Sequence, residues 1–417
     1  MPPSIGPVRV EFILFGLTLI GVALFYKKTM YVALAGLASV LLFKFTFDQH
    51  FNLVGHIIGT SAKDGEWRIL LNLFGLLFGF GILAKIFQES KVPEILPKFL
   101  PDDWKGGLVL LFIIMVLSSF LDNIAAAMIG GTIAMVVFKG KVHIGFLAAI
   151  VAASNAGGAG SVVGDTTTTL MWIDGVEPAW VLHAFVASLA AFLIFGVFGA
   201  IQQQKFQPIV KDPKAGVKVD WLKIFVVALI LAGAIVTNFL SDFPALGVWI
   251  AILAGSLFTK TPWGELKKAW KGTIFLISLV TIASLMPVEE LPPASSLSAF
   301  ILGFVSAVFD NIPLTKLCLQ QGGYDWGILA YTVGFGGSMI WFGSSAGVAL
   351  SNMYPEAKNT VNYIKGGWHV VVAYILGFIV VISVLGWQPH PPHKKVNKTE
   401  TSIDKPDFST EKHLNFY

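Results

Sequence analysis

Apolar runs of bilayer-crossing length recur from one end of this chain to the other, and that single feature leaves room for little except a bundle of membrane helices. A transmembrane helix needs about 20 apolar residues and tolerates about 17. Spans are expected near 8–26, 31–47, 69–84, 179–201, 221–240, 244–258, 272–286 and 366–386. Composition agrees: of 417 residues 55% are hydrophobic and 13% charged, against roughly 25% charged in an ordinary soluble domain. In water a chain of this size buries only about 75% of its surface, so too few polar groups remain to coat the rest, and lipid must be the solvent. The net charge of +4 is loop charge between apolar segments and implies no nucleic-acid partner. One cysteine, Cys318, excludes an internal disulfide and a Cys-based metal site. The first apolar run is followed by Lys27 and Lys28 with no charged segment before it, which predicts a retained span and not a cleaved signal peptide.

Four apolar stretches do not fit simple spans. The stretch 106–138 is interrupted by Asp122-Asn123, and 297–320 by Asp310-Asn311-Ile312-Pro313. Each arm is too short to cross, so each pair is expected to be a re-entrant hairpin with a polar tip at mid-depth. The stretches 144–173 and 327–351 are cut by Gly-rich polar segments and are expected to be broken helices. Irregular backbone at that depth is tolerated only where protein or a watery cavity satisfies its N–H and C=O groups. The four interruptions therefore mark one shared polar interior.

The two halves of the chain repeat this plan. Ser119-Phe120-Leu121-Asp122-Asn123-Ile124 aligns with Ala307-Val308-Phe309-Asp310-Asn311-Ile312, and Gly157-Gly158 with Gly164-Asp165-Thr166 aligns with Gly336-Gly337 with Gly343-Ser344-Ser345. The spacing from glycine pair to next glycine is the same in both. The expected organisation is a first repeat over 1–201, a cytoplasmic linker over 202–220, a second repeat over 221–386 and a polar tail over 387–417. Lysines such as Lys27, Lys85, Lys139, Lys205, Lys267 and Lys365 fall on one set of alternating loops. By the positive-inside rule that side is cytoplasmic, both termini lie outside, and five crossings per half invert the second repeat. The expected fold is thus an all-α polytopic membrane protein of two inverted-topology repeats, an architecture of secondary transporters.

Of the 25 acidic residues, three sit at mid-depth: Asp122, Asp165 and Asp310, each at a backbone break. Insertion of an Asp at a helix centre costs roughly 2.5 to 3.5 kcal/mol, so such residues are functional candidates. A break frees main-chain carbonyls, which are hard ligands for a small cation. Asn123, Asn155, Thr166, Thr167, Asn311, Ser344 and Ser345 add neutral oxygens or amides. Gly157, Gly158, Gly164, Gly336, Gly337 and Gly343 permit the close backbone approach. A carboxylate in this setting can hold either a proton or a cation, and their competition suffices for exchange. The plainer roles are helix capping for the three Asp, back-bonding to the preceding turn for Thr167 to Thr169, and snorkelling to the surface for Lys316.

The four motifs, read together with Ser118-Ser119 before the first tip and with Asn155-Ala156-Gly157-Gly158-Ala159-Gly160-Ser161 in the first loop, resemble the signatures of NhaD-type sodium/proton antiporters. Those belong to the ion transporter superfamily, which also holds dicarboxylate and citrate carriers. The resemblance covers about 69–365. It implies antiport of Na⁺, often Li⁺, for H⁺, with Asp122, Asp165 and Asp310 as transport carboxylates and Na⁺ held near Asp165, Thr166 and Asp310. Ile124-Ala125-Ala126-Ala127 departs from the hydroxyl residues expected after the first tip. A bacterial plasma (inner) membrane location, lipid, monovalent cations and protons as partners, and no cofactor are the corresponding expectations; a homodimer is compatible with them. The rival reading is a carboxylate or other anion carrier on the same fold, which three buried Asp and the lack of a mid-span Arg disfavour. A membrane enzyme lacks support: no metal constellation or nucleotide loop is present.

Overall fold

A computed structural model describes residues 4–5, 8–49, 51–60, 63–95, 98–162, 164–210, 218–241, 243–286, 293–309 and 311–390. Asp310, Val163 and the tail beyond residue 390 lie outside the described residues. The chain forms twenty α-helices among them, with two antiparallel two-residue strand pairs, Ser4–Ile5 with Val8–Arg9 and Gly59–Thr60 with Lys63–Asp64.

The first half holds α1 (Val10–Leu24), α2 (Thr29–Phe47), α3 (Leu53–Ile58), α4 (Trp67–Glu89), α5 (Val92–Ile95), α6 (Trp104–Ser118), α7 (Asn123–Val137), α8 (Ile144–Ala159), α9 (Thr166–Ile173), α10 (Pro178–Val181) and α11 (Ala184–Phe206). The second holds α12 (Trp221–Ser241), α13 (Pro244–Gly255), α14 (Glu265–Ser284), α15 (Ser296–Ser306), α16 (Asn311–Gln321), α17 (Trp326–Gly336), α18 (Ser345–Met353), α19 (Thr360–Gly366) and α20 (Trp368–Leu385). All four expected interruptions are gaps between helices: α6/α7, α8/α9, α15/α16 and α17/α18. Three of them have a local cause. Asp122, Asp165 and Ser344 stand in extended or turn conformation and cap the helix that follows, accepting from the N–H of Ile124, Thr167 and Gly347.

Five helical segments are long and apolar enough to cross a membrane: Thr29–Phe47, Trp67–Glu89, Pro178–Phe206, Trp221–Ser241 and Trp368–Leu385. This makes the chain an all-helical polytopic membrane protein. Two expected spans are shorter than anticipated. At 12 residues α13 reaches only about 18 Å, because Pro244 fixes its start and the helix ends at Gly255. The 15-residue α1 is likewise short of a full crossing. At the other boundary α11 runs on to Phe206, so the first five positions of the expected linker are helical.

Outward faces carry large apolar side chains: Leu240 is 80% and Leu257 82% exposed. Inward, α8 and α17 are the most enclosed helices, buried along nearly their whole length. Around them α6 lies on α8 and α15 on α17, while α11 lies along α20. The halves also exchange partners: α18 packs on α7, and α9 packs on α16.

Equivalent positions of the two halves make the same contacts. Ser118 Oγ donates to the Ser154 carbonyl at 2.5 Å, and Ser306 Oγ to the Val333 carbonyl at 2.6 Å. A Cβ on Gly157 would overlap the Met115 carbonyl, and one on Gly336 would overlap the Gly303 carbonyl. A glycine is thus required where α6 meets α8 and where α15 meets α17.

Candidate functional site

The site grows from the capped breaks. Asp165 follows Gly164, 2% exposed, with Oδ1 accepting from Thr167 N at 3.1 Å. Its other oxygen, Oδ2, is buried and has no hydrogen-bond partner. Thr168 and Thr169 serve the turn itself, returning hydroxyl bonds to the carbonyls of Ser161 and Val162 at 2.6 and 2.8 Å and to that of Asp165 at 2.9 and 3.0 Å. The chain folds this way because each threonine replaces main-chain partners that the broken helix lacks.

Asp122, half-buried, caps α7 through Oδ1, accepting from Ile124 N at 2.8 Å, while its Oδ2 is 3.5 Å from the Thr166 hydroxyl. The α6/α7 break and the α8/α9 break therefore meet through Asp122 and Thr166. Capping by both carboxylates is real, and it uses one oxygen of each.

Across the halves, Asn155 near the end of α8 is the connecting residue. It accepts from Asn123 Nδ2 at 3.1 Å and donates to Ser338 Oγ at 2.9 Å and Ser344 Oγ at 3.0 Å. All four side chains are 1% exposed or less. Ser345, the first residue of α18, is buried beside them in sequence. From the second hairpin, Asn311 opens α16, 1% exposed, and neither atom of its amide has a partner. Asp310, the third expected carboxylate, lies outside the described residues, so the structure brings together Asp122, Asp165, Asn123, Asn155, Thr166 and Ser344.

Three participants were not singled out in the sequence. Ser338, directly after the second glycine pair, accepts from Asn155. Thr315, one turn after Asn311, is fully buried with a hydroxyl that has no partner. Glu11, in the first turn of α1, is fully buried with Oε1 3.6 Å from Lys44 Nζ of α2, and Lys44 also lies 3.9 Å from Asp48. The neutral-oxygen signal that found Asn311 would have found Thr315 had the helical register been followed one turn further.

Both arginines are remote from the breaks. Arg9 precedes α1, and Arg68 in the first turn of α4 donates to the Ser241 carbonyl at 2.8 Å. Among the described residues no group of three or more His, Cys, Asp or Glu converges as a metal site. The arrangement offers hydroxyl, amide and carboxylate oxygens with one unshared buried charge, a donor set suited to a hard cation and ill-suited to a soft one.

Residues 12–336 match the family model described as CitMHS, citrate transporter. The chain is similar to the Na(+)/H(+) antiporter NhaD of Alkalimonas amylolytica, 27% identical over 341 residues that cover 68% of each chain. It is 25% identical over 420 residues to the NhaD antiporter of Vibrio parahaemolyticus, covering 86% of this chain and 99% of that one. Against sodium/proton antiporter 1 of Arabidopsis thaliana the identity is 26% over 295 residues, 60% of this chain and about half of the relative's length, at 50%. These relatives are transporters and not enzymes.

Proposed function

The chain belongs to the citrate transporter family of the ion transporter superfamily, and from that premise we propose that it is a secondary antiporter exchanging Na⁺, or Li⁺, for H⁺ across a bacterial plasma membrane. The observation that carries the reading is Asp165: a buried carboxylate whose Oδ2 has no partner, set where a helix is broken. A lone buried carboxylate is costly unless it is neutralised, and a proton or a small cation does so equally well. Two ions that satisfy the same group cannot occupy it together, which couples their movements. The relatives named as sodium/proton antiporters support the choice of ions.

Asp122 is placed to assist. Its Oδ2 lies 3.5 Å from the hydroxyl of Thr166, the first residue of the helix that Asp165 caps. The reciprocal packing of α7 with α18 and of α9 with α16 supports reading the halves as inverted repeats with re-entrant hairpins, joined through 202–220. Such a pair of repeats can rock about a fixed central site and expose it to either face in turn. No cofactor is needed beyond the transported ions.

The family description favours a carboxylate carrier as second reading. Against it, both arginines lie away from the breaks and Asp165 would repel a carboxylate anion. Purified protein in proteoliposomes with a pH dye inside separates the two. Antiport predicts a pH change on adding Na⁺ or Li⁺ alone; uptake of labelled citrate with no such change would favour the second reading and end the first.

A further inference from the structure

The residues just after α20, expected as the start of a polar tail, are docked onto the protein. At Gly386 the backbone has φ +73° and ψ −167°, a region open almost only to glycine, and the chain turns there onto the loop between α16 and α17. Trp387 packs against the core. Gln388 N donates to Asp325 Oδ2 at 2.9 Å, His390 N donates to the Tyr324 carbonyl at 3.2 Å, and the His390 carbonyl accepts from Trp326 Nε1. The His390 ring stacks on Trp180 of α10, with centroids 4.1 Å apart and planes 16° from parallel. Pro389 has no N–H to satisfy, and its fixed φ lowers the entropy lost on docking. Gln388 and Pro389 stand exposed, so these contacts fasten a surface segment and do not fill a core. Ordering such a segment costs about 1 to 2 kcal/mol of backbone entropy per residue, which only specific contacts offset.

Asp325 anchors the segment. It is 3% exposed, and its two oxygens do different work: Oδ1 caps α17 by accepting from Ile328 N at 3.0 Å, while Oδ2 accepts the Gln388 N–H. The turn in which it stands joins α16 to α17. From that turn α16 runs back to the α15/α16 break and α17 runs on to the α17/α18 break, each helix 11 residues or about 16 Å long. A helix carries a displacement of one end to the other, so whatever fixes this turn also fixes the distance from it to both breaks. The first half takes part as well. The Trp180 carbonyl lies so near α17 that a Cβ on Gly327 would stand 2.5 Å from it, and His390 covers the ring of the same residue. The segment thus ties together the end of α20, the α16–α17 turn and α10.

We propose that Gly386–His390 is a strap that positions α16 and α17 for transport, with Asp325 as the positioning residue through which it acts. Docked, it holds the turn while the bundle changes shape around the breaks. Released, the turn is loose and turnover slows, although the residues at the breaks are chemically unchanged. The inference rests on the reading of the chain as a transporter and adds a segment beyond the last span to its working parts.

The test uses the full chain. Asp325→Asn keeps an acceptor for Ile328 N but sets an amide NH2 where Oδ2 accepted from Gln388, so the cap stays and the strap is released. Gly386→Ala releases it from the other end through backbone strain. Each is expected to lower kcat for exchange in proteoliposomes about tenfold, the weight of one hydrogen bond to a charged acceptor, with KM for Na⁺ within about twofold. Both together are expected to do no more than either alone. A short thiol cross-linker between Trp180→Cys and His390→Cys is expected to restore the rate in Asp325→Asn; Cys318 is buried and does not compete. Amide hydrogen exchange at Gln388 and His390 reads docking directly, slow in the wild type and fast in both variants. Wild-type turnover in both variants despite fast amide exchange would overturn the inference, as would additive losses. So would a cross-link that stops exchange while Asp325 is intact, because the strap would then have to let go. A wild type that takes up labelled citrate and gives no pH response to Na⁺ or Li⁺ contradicts antiport alone, and the same comparison is then read on citrate flux.

Discussion

Asn155 and Ser344, one from each half of the chain, are joined directly: the amide of the first donates to the hydroxyl of the second at 3.0 Å, inside a helix pair that excludes solvent. With Ser338 as second acceptor and Asn123 as donor, a single side chain ties a hairpin and two broken helices together. Asn155→Ala leaves these partners buried without it, at about 1 to 3 kcal/mol for each group stranded. With three partners stranded the expected loss is about 3 kcal/mol or more in total, read as a lowered unfolding temperature of the detergent-solubilised protein.

Glycines at the helix crossings and elsewhere divide into those that cannot change and those that can. Gly157→Ala and Gly336→Ala each drive a methyl group into a carbonyl of the neighbouring hairpin arm, Met115 and Gly303 respectively. Backbone against backbone has no flexible escape, so both variants are expected to lose about 3 kcal/mol or more and to yield little folded protein. By contrast Gly81→Ala, in the uninterrupted helix α4 and away from the crossings, meets nothing within 4 Å and is expected to be neutral or stabilising by up to about 1 kcal/mol. Yield by size-exclusion chromatography checks all three.

At the start of α8, His143 caps the helix with its ring, Nδ1 accepting from Gly145 N at 3.1 Å. That role requires the neutral imidazole, and partial burial holds its pKa below the usual 6.5. The unfolded chain therefore binds the proton more readily, and stability contributed by His143 is present above pH 6.5 and lost as the pH falls through the lowered folded value. His143→Asn keeps a capping acceptor but does not titrate. Its unfolding temperature is expected to fall less than that of the wild type between pH 7 and pH 5.

Much of this was legible because apolar helices punish polar intrusions. Asp122 and Asp165 are the charged residues that interrupt their apolar runs, and with the glycine pairs they stand at or next to helix ends. The helix ends at the four interruptions followed to within a few residues. What could not be read was partnership over distance. Asn155 is an ordinary amide in sequence, and its acceptors Ser338 and Ser344 lie in the other half of the chain. Thr315 looks like any helical threonine until its carbonyl-directed bond proves to be missing. Glu11 sits in the first turn of α1, where an acidic residue normally meets water, and only the packing of α2 with Lys44 encloses it. The short α13 was misjudged in length because an apolar run records composition and not where Pro244 and Gly255 bound the helix.

The buried ion pair of Glu11 and Lys44 predicts an asymmetric response to mutation. Glu11→Gln leaves the Lys44 ammonium enclosed with only Asp48 at 3.9 Å, and a loss of about 3 kcal/mol is expected from a stranded buried charge. Glu11→Gln with Lys44→Met removes both charges and is expected to recover most of it. A double-mutant cycle on unfolding temperature measures the difference.

The central claim is that Asp165 carries the exchanged ions, and Asp165→Asn tests it with the least disturbance to the fold. Asparagine retains an acceptor for the Thr167 N–H and so still caps α9, but it holds neither a proton nor a full countercharge. In proteoliposomes, Na⁺ or Li⁺ added outside is expected to shift internal pH with the wild type and to leave it at the level of empty vesicles with Asp165→Asn, although the variant folds and melts normally. Exchange that persists in the variant at the wild-type rate would contradict the account.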